Sequence, residues 1–467
     1  MKKISISDIS FVENSLIDPV GRVFFYNENY YRIIYGQSEK EIVELLDSQL
    51  FEELIKGHYI PETTIADDIE VEGVPLVLKH ERCYNSMSYE WSFEMLRDAA
   101  VHILKLNELC NKYGYWLKDG HPMNITFHNG KPVFLDFGSI VKRKDQTRWV
   151  AEEEFLQRFY LPLMLWSKGE FFLFRTIVES NVATWRLQPS VSFDNSQLAR
   201  IYLGERVCYK LRRRMKVYTT KKEVVVSFVN FLNKVIGRVY KRKNHNYRFV
   251  YVDEKWMYIR PSVEKVLSLR NNTGESDWMN YYQEDTIIKR FPRIIELLKK
   301  YCSDATTATD LAGNRGLFAE MLLVEGIAQH VFVLDRDANA VDGAYQRAKT
   351  RGLCYDAVWT NMMCPVDESS SSKRFMSDIA IALALTHHLV LTQGYDISLV
   401  LERLSAYSNK YVVVEFMPLG LWDGTKEPSV PSWYTEEWFL SHFSERFTLL
   451  HKEQLEENRI VFIGVKR

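Results

Sequence analysis

At 467 residues the chain has room for about two or three domains, each with a core of its own. Hydrophobic residues make up 46% and charged residues 26%, as in soluble globular proteins, and 60 Lys and Arg nearly cancel 61 Asp and Glu. That balance excludes a global field steering the chain to nucleic acid, and no apolar run reaches the roughly 18 residues of a membrane span. Cys83, Cys110, Cys208, Cys302, Cys354 and Cys364 form no CxxC pair, which argues against a disulfide scaffold and against a structural zinc site. The opening Met-Lys-Lys-Ile-Ser-Ile-Ser-Asp lacks the apolar core of a signal peptide, so a cytoplasmic location is expected.

In chain order, Arg22-Val-Phe-Phe-Tyr and Tyr30-Tyr-Arg-Ile-Ile flank Asn27-Glu28-Asn29, a hairpin signal. The spacing predicts one amphipathic helix over 39–57, a short strand at 74–78 and a long helix over 89–113. Two further short strands, Asn124-Ile-Thr-Phe and Pro132-Val-Phe-Leu, are separated by His128-Asn129-Gly130. Helices are expected from about 150 to 240. Between Glu205 and His245, thirteen Lys or Arg stand against two Glu. They read either as solvated helix faces or as a patch for an anionic glycan, a phosphorylated substrate or a membrane surface.

Within this half, Trp116-Leu-Lys-Asp119-Gly-His-Pro-Met-Asn124 is followed twelve residues later by Asp136-Phe137-Gly138. The string resembles the protein-kinase catalytic loop and its metal-binding triplet. The resemblance implies that Asp119 orients an acceptor hydroxyl and that Asn124 and Asp136 hold magnesium for Mg-ATP. The usual His-Arg before the Asp is Leu117-Lys118 here. No Gly-rich loop precedes residue 74, and Arg32 with Glu41 or Glu44 would stand in for the strand lysine and helix glutamate. The ATP-cradling lobe is therefore expected to be degenerate or rebuilt.

The boundary is expected between Arg248 and Asp277, giving an α+β kinase-like domain over 1–250 and a second domain over 251–467. Beyond it, strand candidates at 306–311, 331–335, 355–359, 378–385 and 411–416 alternate with helical stretches such as 316–326, 338–350 and 395–408. A helix at 435–445 and runs at 448–451 and 459–465 close the chain. The alternation predicts a parallel sheet with crossover helices, ended by an antiparallel hairpin. Trp278-Met-Asn-Tyr-Tyr precedes a helix expected over 284–300, and its aromatics would either cover a ligand or pack in the core.

The most informative string is Thr309-Asp310-Leu311-Ala312-Gly313-Asn314-Arg315-Gly316, where the first strand gives way to a helix. Such a turn lets a ligand approach the backbone. Val331-Phe-Val-Leu then ends in Asp335, placed to accept both hydroxyls of a ribose. NAD could use the same spacing, but its fingerprint wants glycine at the positions of Ala312 and Asn314. Asp310 would also repel a diphosphate, so the chemistry favours S-adenosylmethionine. The segment resembles motif I of class I S-adenosylmethionine-dependent methyltransferases, departing from it at Ala312. That resemblance implies a Rossmann-like seven-stranded sheet and a place for Asn361 near the adenine. The fourth strand runs into His387-His388, either of which is a candidate general base, and Glu415 ends the fifth strand as a candidate for binding the acceptor.

A kinase-like half before a methyltransferase half resembles the nodulation-protein NoeA-like methyltransferases, which implies methylation of a sugar hydroxyl on a glycan or lipopolysaccharide precursor. Two alternatives stay open. One is a bifunctional kinase and methyltransferase that caps a glycan with methyl phosphate; the other is a non-catalytic scaffold that only recognises ligands.

Overall fold

The computed structural model describes residues 1–12, 15, 18–84, 86–143, 149–171, 174, 178, 250–252, 255–257, 261–274, 276, 289–367, 370–422 and 429–467. In the N-terminal half, β1 (Ser10–Phe11), β2 (Gly21–Tyr26), β3 (Asn29–Ile34), β4 (Thr63–Ile65) and β5 (Leu76–His80) form an antiparallel sheet in the order β1-β2-β3-β5-β4. The hairpin anticipated at Asn27-Glu28 is present, and both residues take positive φ, 45° and 64°, as a two-residue turn between twisted strands requires. The single helix expected over 39–57 is two, Gly36–Leu46 and Gln49–Lys56. Ser48 breaks it, because its hydroxyl caps the second helix by accepting from Phe51 N at 3.2 Å.

The helix Phe93–Lys112 buries Phe93, Met95, Leu96, Ala99, Ala100 and Ile103 and is the spine of this half. It begins later than the periodicity suggests because Ser88–Glu90 is a separate tight turn. Ile125–His128 and Lys131–Phe134 pair as the expected hairpin, turning at Asn129 and Gly130, both left-handed. Helix continues over Glu152–Phe155, Leu156–Tyr160 and Leu161–Ser167; most of the helical stretch read over 150–240 beyond residue 171, and the basic run 205–245, lie outside the described residues.

The C-terminal sheet has seven strands: β6 (Thr307–Leu311), β7 (His330–Asp335), β8 (Tyr355–Trp359), β9 (Ser377–Ala382), β10 (Ser408–Phe416), β11 (Phe447–Glu456) and β12 (Arg459–Lys466). Their order is β8-β7-β6-β9-β10-β12-β11, and β12 alone is reversed, running antiparallel to β10 on one side and β11 on the other. Counted within the sheet this is 3-2-1-4-5-7-6, with the reversal of strand order between β6 and β9. In open α/β sheets that reversal opens a crevice beyond the strand C-termini. Both faces are covered, as the near-continuous apolar strands demand. Val331 and Val333 face one core with the helices Phe291–Tyr301, Leu317–Val324 and Ala338–Arg351. Phe332 and Leu334 face the other, with Ile397–Ala406 and Glu436–Arg446.

The first of these cores does not stop at the sheet but runs on into the N-terminal half through Phe93, Phe127 and Trp166. Phe127 meets Tyr345 edge-on at 5.4 Å, Trp166 lies 5.5 Å from Trp359, and Tyr84 stacks on His330 at 4.2 Å. Polar pairs fix the alignment: Glu94 N donates to Asp342 at 3.0 Å, Tyr345 Oη donates to Asp98 at 2.7 Å, and Arg374 grips Glu90 through two bonds of 2.6 and 2.7 Å. Glu90 is almost wholly buried, and burial raises its pKa against the pull of Arg374. Among the described residues no helix is long and apolar enough to cross a membrane.

Removing the cation from this pair strands a buried carboxylate, and such losses run to about 3–5 kcal/mol. Arg374→Gln is expected to lower the stability of the whole chain by that order in urea unfolding, and Glu90→Gln/Arg374→Gln is expected to recover part of it. Because the two halves share a core, both variants should unfold in one transition by fluorescence and by circular dichroism alike.

Candidate active site

A cleft opens where β6, β7, β8 and β9 end, lined among others by Ala312, Asn314, Asp335, Thr360, Asn361, Ala384, His388 and Gln393. The turn after β6 makes its floor by unusual backbone geometry: Ala312, Asn314 and Gly316 are all left-handed, with φ of 59°, 49° and 73°. Asparagine tolerates this region and glycine prefers it; alanine is strained there, so the departure noted at Ala312 is a departure in backbone energy. Gly313 and Gly316 do not line the cleft. A Cβ on Gly313 would lie 2.8 Å from Asp310 Oδ2 and 2.9 Å from Val333 Cγ1, and one on Gly316 would lie 2.8 Å from the Tyr355 hydroxyl. Both glycines let the turn sink onto the sheet.

Asp335 ties this turn to the next. One oxygen accepts from Asn314 N and the other from Asp337 N, both at 2.9 Å. A carboxylate so held has lone pairs left on each oxygen, directed into the cleft it lines. Burial pushes its pKa up to about 6, with the two amides opposing that rise. Asp310 lies deeper, 3% exposed and outside the cleft wall, with Oδ2 unpartnered. Burial, then the nearby Asp335, raise it to about 8. A buried carboxyl without a partner destabilises a fold. Its presence beneath the turn fits a site that receives a positive charge.

The histidine pair separates in role. The rings lie 4.1 Å apart, but only His388 lines the cleft. His387 is 2% exposed, and burial, with His388 and Arg459 nearby, lowers its pKa to about 3. It is a neutral core group without the access that general-base work needs, which corrects its place among the catalytic candidates. His388 is half-buried, and burial and Arg336 hold it below the usual histidine range. Glu415 is corrected as well: it is fully buried, paired with Arg290 at 2.8 Å and Arg459 at 2.6 Å, and cannot reach an acceptor. It also accepts from Ala384 N at 2.8 Å, which draws the chain out of β9 at Ala382, short of the strand end expected at 385. No motif in the sequence announces Arg290, Arg459, Thr360 or Gln393. The first two find Glu415 only through the fold, and the other two stand beside residues that were legible.

In the N-terminal half, Asn124 Nδ2 donates to Asp136 Oδ2 at 3.4 Å, so this pair of the kinase-like string does meet. Asp119 stands on the surface beside Lys118, and its backbone amide donates to Ser139 Oγ at 2.9 Å. Arg32, 6% exposed, binds Asp18 at 2.6 Å and the Leu135 carbonyl at 3.2 Å. Asp136 is raised by burial, with Arg32 opposing. Gly138 has no room for a side chain, since a Cβ would lie 2.9 Å from Val20 Cγ2. The segment before β2 therefore lies directly on the Asp136–Gly138 turn. Among the described residues no group of three or more His, Cys, Asp or Glu converges as metal ligands. The aromatic string at 278–282 lies outside the described residues.

No protein-family model matches the chain. It is 22% identical over 480 residues to the nodulation protein NoeA of Rhizobium meliloti (strain 1021), an alignment covering 94% of this chain and 93% of that one. Solved structures with a similar portion include a protein of Pyrococcus horikoshii OT3, 17% identical with a TM-score of 0.33 over 42% of this chain and all of that one. Another is the N-methyltransferase NodS of Bradyrhizobium japonicum WM9 in complex with S-adenosyl-L-homocysteine, 15% identical with a TM-score of 0.31 over 41% of this chain and 93% of that one.

The raised acid at position 310 gives a signed test. Its folded pKa of about 8 lies above the usual carboxyl value. The folded state therefore holds a proton that the unfolded state gives up, and stability falls as pH rises from about 4 to about 8. Asp310→Asn is expected to flatten that slope in chemical unfolding and to be the more stable protein at pH 8. Gly313→Ala, by contrast, is expected to lose stability at every pH, because its methyl group meets Asp310 and Val333.

Proposed function

We propose that the chain is an S-adenosylmethionine-dependent methyltransferase acting on a hydroxyl of a glycan or lipopolysaccharide precursor. The observation that carries the reading is the Asp335 carboxylate, held by two amides at a strand tip beside the left-handed turn and aimed into the switch-point cleft. This donor set fits the cofactor's parts. Asp335 would accept from the ribose hydroxyls, and Asn361 and Thr360 would flank the base. Asp310 beneath the turn would answer the cationic amino-acid end. When bound, S-adenosylmethionine supplies an electrophilic methyl group; what remains for the protein is placement of the acceptor and removal of its proton. His388 is the group available for that proton. Its lowered pKa keeps it in the neutral, accepting form at neutral pH. The resemblance to nodulation-protein methyltransferases supports a saccharide as the acceptor.

The N-terminal half is read as a kinase-like platform without phosphotransfer. Arg32 is engaged by Asp18, and Val20 covers the Asp136–Gly138 turn, which leaves little for a triphosphate to bind. The meeting of Asn124 with Asp136 is what favours the second reading, a bifunctional enzyme that caps a glycan with methyl phosphate.

S-adenosylhomocysteine is expected to bind in the micromolar range, about −8 kcal/mol, and Asp335→Ala to weaken it at least about tenfold by calorimetry. Binding of NADH in its place, or no change in the variant, overturns the cofactor. His388→Ala is expected to lower turnover about 100-fold with cofactor affinity nearly intact, and the acid limb of wild-type kcat to fall at a lower pH than an ordinary histidine would give. A parallel loss of cofactor affinity would make His388 a binding group. Methyl transfer should survive Asp136→Ala, and a phosphorylated product dependent on Asp119 would establish the bifunctional reading.

A further inference from the structure

The wall of the Asp335 cleft that leads into His388 begins with a strained residue. Ala384, which lines the cleft, takes a φ of 51°, where a Cβ crowds the backbone. Such a residue persists where its surroundings over-determine it. Here Ala384 N donates to Glu415 Oε2 at 2.8 Å, and Thr386 Oγ1 donates to the Glu415 carbonyl at 3.1 Å. The Leu385 carbonyl between them accepts from His388 N at 3.1 Å. Glu415 thus sets the place of the His388 backbone through one turn of chain.

Glu415 is held in its turn by the hairpin at the far edge of the sheet. β12 runs antiparallel to β10 with Ile460 opposite Phe416, so the turn before β12 lies at the cleft end of the strands. Arg459 opens β12 and donates to Glu415 Oε2 at 2.6 Å, while Arg290 reaches Oε1 at 2.8 Å. Asn458, one residue earlier and buried, holds the loop after β10. Its Oδ1 accepts from Leu419 N at 2.7 Å, and its Nδ2 donates to the Gly420 carbonyl at 3.1 Å. Gly420 is seated on the helical turn His388–Thr392, since a Cβ there would lie 2.8 Å from Leu391 Cδ1. Two adjacent residues therefore grip the segment before His388 and the loop packed on the turn after it. A buried carboxylate between guanidinium groups often adds no more to stability than apolar packing of the same volume. What apolar packing cannot do is accept the Ala384 amide.

We propose that Asn458, Arg459 and Glu415 are positioning residues of the cleft. They fix the wall that bears Ala384 and His388, and with it the placement of cofactor and methyl acceptor. The inference deepens the methyl-transfer reading and rests on it for the identity of what is placed; the pinning itself can be measured without any ligand.

Hydrogen exchange of the full chain, read by mass spectrometry on peptides covering 383–389 and 417–422, is the first arm of the test. Arg459→Gln leaves Glu415 its pair with Arg290 and should fold. It is expected to exchange at least about threefold faster in 383–389, with Arg459→Lys between. Glu415→Ala is expected to speed that segment at least about tenfold. Glu415→Gln keeps an oxygen for Ala384 N and should stay within about threefold of wild type, although both variants strand the same two arginines. Asn458→Ala should speed 417–422 alone. The second arm is calorimetry with S-adenosylhomocysteine, whose affinity should fall at least about fivefold in Glu415→Ala and be mostly restored in Glu415→Gln. A purely structural role would cost the Ala and Gln variants alike. Equal effects in the two, acceleration spread evenly over β6 to β10, or unchanged exchange in Arg459→Gln overturns the proposal. Absence of binding by wild type would sink the cofactor reading instead, and the exchange result would then decide the pinning by itself.

Discussion

The C-terminal half depends on one carboxylate at the end of one strand. Asp335 takes an amide from the turn behind β6 on one oxygen and an amide from the start of the helix Ala338–Arg351 on the other. It thereby sets the distance between two loops that would otherwise be joined only through the sheet. The left-handed residues at 312, 314 and 316 are tolerable because this anchor, with the close seating of Gly313 on Asp310, over-determines the turn. The cleft, its floor and the unpartnered acid below it all follow from that arrangement.

Much of this was legible because the signals were local. Strands buried on both faces write themselves as apolar runs, and six of the seven lie within a few residues of where the pattern put them. The turn was legible because Gly313, Asn314 and Gly316 stand close together in the chain. What could not be read was whatever depends on burial across the sequence. Glu415 looks like any strand-tip acid until Arg290 and Arg459 arrive from remote segments. His387 and His388 are adjacent and chemically identical, and only the direction of each ring assigns one to the core and one to the cleft. The helix break at Ser48 was missed because an amphipathic period passes through a cap that hydrophobicity does not register.

The N-terminal half illustrates the same limit. Its string from Asp119 to Gly138 folds as the hairpin the sequence suggested, and Asn124 finds Asp136. The charge that accompanies Asp136 is the chain's own Arg32, and Arg32 is already engaged by Asp18. A motif records which side chains are present; it does not record which of them have turned to one another.

Trp359 closes β8 and sits against Trp166, Phe171 and Phe174 from the N-terminal half, with Thr360 and Asn361 of the cleft immediately after it. During synthesis the aromatic cluster leaves the ribosome well before the strand that covers it. The emerging N-terminal half carries a bare apolar face until β8 and the sheet around it are made. The order of translation therefore imposes an interval of exposure on this chain, and its yield in a cell should follow the supply of chaperones that shield such faces as much as its final stability.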